Sequence, residues 1–94
     1  MRQIRATPTD DSTFSVEVRD GAVTTSHVVT LPPHLCDALG WPAGRENELI
    51  ERSFEFLLER EPATQILRRF RLDVIGDYFP EYEREIRRKA DAAD

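Results

Sequence analysis

Few side chains in this chain are suited to catalysis or metal binding, and their spacing works against both. His34 and Cys36 stand two apart in "LPPHLCDALG", and His27 is the only other histidine. A zinc site needs three or four ligands converging on one point, and a single cysteine rules out a CxxC pair. A thiol nucleophile needs a base beside it. Positions two apart on a helix do not face each other, so Cys36, set among Leu35, Leu39 and Trp41, reads as a small buried hydrophobe. Ser53 lies outside any GxSxG pattern and inside an apolar helical stripe, where a small residue marks close packing. Gly21, Gly40, Gly44 and Gly76 are scattered and form neither GxGxxG nor a phosphate loop. Acidic pairs are plentiful but fall on solvated helix faces, where no pocket nominates one of them for proton transfer. The sequence therefore nominates no catalytic, cofactor-binding or metal-ligating residue, and it implies no cofactor.

Basic residues cluster twice. Arg68, Arg69 and Arg71 surround Phe70, and Arg84, Arg87, Arg88 and Lys89 lie near the end. Each group is a candidate phosphate-contacting patch, Arg68, Arg69 and Arg71 foremost; the alternative for both is a solvated helix face balanced by nearby glutamates. A net charge of −5 over 94 residues opposes a mainly electrostatic grip on nucleic acid. The balance of 39% hydrophobic and 33% charged residues is that of a globular chain. One cysteine allows no intrachain disulfide and fits a reducing compartment. The opening "RQIRATPTDD" has no apolar stretch of the leader type, and no run approaches the ~20 apolar residues that span a bilayer. The expectation is a cytoplasmic protein with no membrane segment.

The elements that position these residues follow from periodicity. In "TFSVEVR", Phe14, Val16 and Val18 alternate with Ser15, Glu17 and Arg19, the period of a half-buried strand. Ile4 and Ala6 continue that pattern upstream, beyond the turn-forming "TPTDDST". Asp20-Gly21 then separates two β-rich runs and signals a hairpin. With those two as the loop, Val18 faces Val23, Val16 faces Thr25 and Phe14 faces His27. Pro33 suits a first helical turn and Gly40 the residue past a helix end. "RENELIERSFEFLLERE" places Leu49, Ile50, Ser53, Phe54, Phe56, Leu57 and Leu58 within about 200° of arc, an apolar face wide enough to need covering on more than one side. Pro62 opens a further expected helix, "PATQILRRF", and Pro80 separates "VIGDYF" from "PEYEREIRRKA".

The aromatic-rich "LDVIGDYFPEYEREI" leaves two readings open. Its apolar residues recur at helical spacings, so two short helices can fold back and complete the core. The other reading is a surface for a partner, with Phe56, Tyr78, Phe79 and Tyr82 as its candidate residues.

Two resemblances bear on the choice. Residues 27–61, with "VVTLP" and "NELIERSFEFLLE", resemble a ribbon-helix-helix DNA-binding module. That resemblance implies a dimer whose paired strands turn His27 and Val29, or Ser26, Val28 and Thr30, toward the major groove. It also asks this strand to pair across the dimer, whereas Asp20-Gly21 pairs it with "TFSVEVR". Over most of its length, through the hairpin, "SFEFLLEREP", "ILRRF" and "VIGDYFPEYE", the chain is similar to a family of small bacterial proteins of unknown function. That likeness implies a bacterial origin and an ordered C-terminal segment, and it carries no known activity.

The expected architecture is one α+β domain over residues 1–94. An antiparallel meander of about three strands fills residues 1–31, a layer of three to four helices fills residues 33–90, and residues 91–94 fray. The expected role is a small non-enzymatic protein-interaction module that self-associates, its partner another protein or a second copy in a homodimer, with a ribbon-helix-helix-like DNA-binding regulator or antitoxin as the alternative.

Overall fold

The computed structural model describes residues 2–42 and 44–93, with side chains described through residue 90. Strands β1 (Arg2–Pro8), β2 (Thr13–Asp20) and β3 (Val23–Thr30) form the antiparallel meander. Helices α1 (Leu35–Leu39) and α2 (Glu46–Leu58) follow, then a single 3₁₀ turn (Ala63–Gln65), strand β4 (Arg69–Arg71), and helices α3 (Val74–Tyr78) and α4 (Tyr82–Ala93). The fold is α+β, with one sheet in the order β1-β2-β3-β4. Helix α4 takes residues 91–93, expected to fray, into its last turn, and Asp94 lies outside the described residues. No helix among the described residues is long and apolar enough to cross a membrane.

The hairpin register differs from the expected one by two residues. Asp20 pairs Val23, Val18 pairs Thr25, Val16 pairs His27 and Phe14 pairs Val29. The loop is therefore Gly21-Ala22, with Gly21 at φ 64° taking the position that needs a positive angle. A shift of two leaves every side chain on its expected face. Phe14, Val16 and Val18 are buried, while Ser15, Glu17 and Arg19 are exposed.

The larger correction lies after α2. The expected helix from Pro62 through Phe70 is one 3₁₀ turn followed by extended backbone at Ile66 (φ −73°, ψ 135°) and then β4. Ile66 and Phe70 are four apart, as a helix requires. Phe70 and Leu72, however, are also buried at alternate positions, between exposed Arg69 and Arg71. Long-range pairing decides between these periods. Val28, Val29 and Thr30 pair in parallel with Arg69, Phe70 and Arg71, and β4 extends the sheet beyond the meander. Local propensity yields where a strand can satisfy a neighbour's open edge.

Helix α2 lies across the buried face of the sheet and carries the core. Leu49, Ile50, Ser53, Phe54, Phe56 and Leu57 are its buried positions. Phe54 packs on the His27 ring (centroids 5.2 Å apart) and on Phe70 (5.9 Å), so one flank meets the sheet. Phe56 meets Tyr82 edge-on at 5.3 Å, so the other flank meets α4. Gly40, at φ 70°, ends α1, its N–H donating to Asp37 O while Trp41 N–H donates to Cys36 O. His34 opens α1 at φ 71°, a strained angle for a residue with a β-carbon.

Candidate interaction surface

The sheet edges differ in how they are closed. At the β1 edge, Asn47 Nδ2 donates to Ala6 O at 2.9 Å, and Ala6 N–H reaches Glu51 Oε2 at 3.5 Å. Pro8, at the end of the same strand, has no N–H to offer. Side chains of α2 and a proline thus occupy what a passing strand would use, a common protection of exposed edges. At the β4 edge, Val28 N–H donates to Arg68 O (2.6 Å) and Leu72 N–H donates to Thr30 O (2.9 Å). The parallel ladder therefore runs through residues 68, 70 and 72. The N–H and C=O groups of Arg69 and Arg71 point the other way, off the sheet.

On the helical side of that edge lies an apolar groove of about 230 Å³. Leu57, Ile66, Phe70, Val74, Ile75 and Phe79 line it, together with Leu67 and Tyr78, and Glu61 and Gln65 are the polar members of the lining. Leu67 is 51% exposed and Tyr78 68%, so two of the large apolar side chains left in water stand on one depression. The rim is held from behind by His27. Its Nδ1 lies 2.8 Å from Leu67 O and its Nε2 2.9 Å from Thr25 Oγ1. A carbonyl only accepts, so Nδ1 carries the proton and Nε2 accepts from the threonine hydroxyl. Burial of the ring lowers the His27 pKa; the Leu67 carbonyl opposes that shift and the Arg68 charge adds to it.

On the opposite, open face of the sheet the exposed strand residues are polar. Arg5, Arg19, Arg69 and Arg71 stand there against one acid, Glu17, among the described strands. Arg71 holds Asp73 at 2.9 Å with both side chains largely exposed. Arg68 is exposed at the start of the same segment. Arg84, Arg87, Arg88 and Lys89 ride on α4 in the helical layer, where Arg87 donates to Ala38 O at 2.8 Å. The two basic clusters therefore do not share a face.

The residues expected to make a partner surface divide. Tyr78 stands exposed on the groove, and Phe79, partly buried, forms part of its wall. Phe56 and Tyr82 are each 1% exposed and belong to the core, a correction with a clear cause. Tyr82 lies 2.7 Å from Ser53 Oγ, which donates its own hydrogen to Leu49 O at 2.8 Å; the phenol is therefore the donor of the pair. Burial pushes the Tyr82 phenol far above its usual pKa, and the Ser53 bond only partly offsets this. Arg60 seals the same corner, its guanidinium 3.6 Å from the Phe56 ring centroid and 3.3 Å from Glu81. Leu67 also belongs to this surface, although the helix expected over Pro62–Phe70 would set it beside Ile66 and Phe70 on a buried stripe.

His34 is exposed and Cys36 half-buried. Burial, reinforced by Glu46 and Asp37, raises the Cys36 thiol pKa, the opposite of what activates a nucleophile. No group of three or more histidine, cysteine or acidic side chains is gathered in metal-holding geometry among the described residues. Strand β3, the one the ribbon-helix-helix resemblance turns outward, is paired on both sides, with β2 and with β4.

Comparison of the chain with protein-family models, with curated proteins and with solved structures found no match.

Proposed function

We propose that this protein is a non-enzymatic interaction module that binds another polypeptide through the groove beside β4. One observation carries the reading: Leu67 and Tyr78, both more than half exposed, stand on the same apolar depression. Exposed apolar side chains scattered singly are ordinary, whereas clustered ones mark contact sites. Tyrosine also suits such a role, because its ring can be buried while its hydroxyl stays wet. The state of the reactive groups favours binding over catalysis. The Cys36 thiol and the Tyr82 phenol are held protonated, and both His27 nitrogens are engaged. A single cysteine, which can form no intrachain disulfide, suits the reducing cytoplasm as its place of action.

The test is selection of a displayed library of random twelve-residue peptides on the intact chain alone, with each enriched peptide then assayed on Leu67→Ser/Tyr78→Ser. The reading expects peptides that bind the parent and are lost on the variant. Failure to enrich any peptide, or binders indifferent to the variant, overturns it.

A further inference from the structure

We infer that the partner enters as an extended strand added to the free edge of β4, and that this strand alternates apolar with acidic side chains. The inference rests on the interaction reading above and specifies its geometry and chemistry. The outward N–H and C=O groups of Arg69 and Arg71 supply main-chain hydrogen bonds, as in other complexes where a peptide extends a sheet. Side chains of an added strand point alternately to the two faces of the sheet. On the inner face they pass Phe70 and enter the groove between Leu67 and Tyr78. On the outer face they fall beside the Arg69 and Arg71 side chains, exposed on alternate positions of β4. Arg71 already holds one carboxylate, that of Asp73, at this border of the sheet.

The other obvious occupant, a second copy of this chain, fits less well. Two-fold pairing of β4 with itself sets Arg69 and Arg71 against their own counterparts, and like charges directly opposite one another destabilise a sheet. The β1 edge is no substitute, since Asn47 and Glu51 occupy it. Because β4 is three residues long, its backbone gives register and direction. Most of the affinity must come from the side chains in the groove.

The probe is the strongest binder from the twelve-residue library, used with the intact chain. The inference expects apolar and acidic residues to alternate in it. Amide exchange at Arg69 and Arg71 slows in the complex, and Arg69→Glu/Arg71→Glu weakens binding about tenfold or more. The milder Arg69→Gln/Arg71→Gln weakens it less, which separates charge from folding. A binder with apolar residues three and four apart, needing Tyr78 but leaving those two amides unchanged, overturns strand addition while the interaction reading stands. Protection of the same amides by dimerisation of the chain alone overturns the acidic partner. If the library enriches no peptide, both readings fall together.

Discussion

The contact between Ser53 and Tyr82 allows a double-mutant cycle that asks whether the aromatic tail completes the core. Tyr82 is 1% exposed and its hydroxyl donates to Ser53 Oγ at 2.7 Å. Ser53→Ala removes the one acceptor that phenol has among the described residues and leaves a buried hydroxyl unsatisfied, a loss of about 1–3 kcal/mol. Tyr82→Phe removes the donor instead. Ser53 keeps its bond to Leu49 O, so the loss is that of one ordinary hydrogen bond, about 1 kcal/mol. In Ser53→Ala/Tyr82→Phe no hydroxyl is stranded, and the double variant should resemble Tyr82→Phe alone. The coupling then equals the Ser53→Ala loss, about 1–3 kcal/mol. For a domain of this size 1 kcal/mol moves the melting temperature by about 4–8 °C, well within reach of thermal and urea unfolding followed by circular dichroism. Additivity within about 0.3 kcal/mol, the behaviour of independent sites, would refute the reasoning and detach α4 from α2.

Other outcomes follow from single features. The His27 pKa is lowered in the fold, so acid is taken up more readily by the unfolded chain. Stability is therefore full above the ordinary histidine value of about 6.5 and falls as pH drops through the lowered folded pKa, which urea midpoints between pH 7 and pH 5 will show. His27→Gln should flatten that dependence; an unchanged slope would remove His27 as its cause. His34→Gly relieves the positive φ on an exposed residue, for a gain of up to about 1 kcal/mol against the greater freedom of glycine when unfolded. A loss in the urea midpoint would show that the angle is unstrained. Glu51→Ala removes the acceptor of the Ala6 N–H and should speed exchange of that amide by NMR, while Asn47→Ala strips the donor from Ala6 O and should cost about 1 kcal/mol. Unchanged exchange would show that α2 does not guard that edge.

How legible the fold was depends on whether neighbours in sequence or in space decide each element. The alternation in "TFSVEVR" and the wide stripe of "NELIERSFEFLL" are local, and β2 and α2 follow from them. The hairpin was legible as a hairpin but not in register, because Gly21 can serve either turn position and the paired strands choose. Strand β4 was not legible. Ile66 and Phe70 satisfy a helix, Phe70 and Leu72 satisfy a strand, and the choice is made by Val28–Thr30, some forty positions upstream. The same cause hid Leu67. Tyr78 and Tyr82 look alike in sequence, yet Tyr82 finds Ser53 and Phe56 across the helix pair while Tyr78 finds water. The carbonyl that His27 anchors, and with it the rim of the groove, comes from a partner forty residues away.

The most direct test is the affinity of the best-enriched peptide for the parent chain and for Leu67→Ser/Tyr78→Ser, by titration calorimetry. Both substitutions fall on side chains more than half exposed, so the variant should unfold close to the parent's midpoint, and the two affinities compare folded proteins. Removing two apolar anchors from a contact removes several hundred Å² of buried surface at about 25 cal/mol per Å², so the variant should bind at least about tenfold more weakly. Equal affinity for parent and variant would contradict it, and would place the binding surface away from the groove.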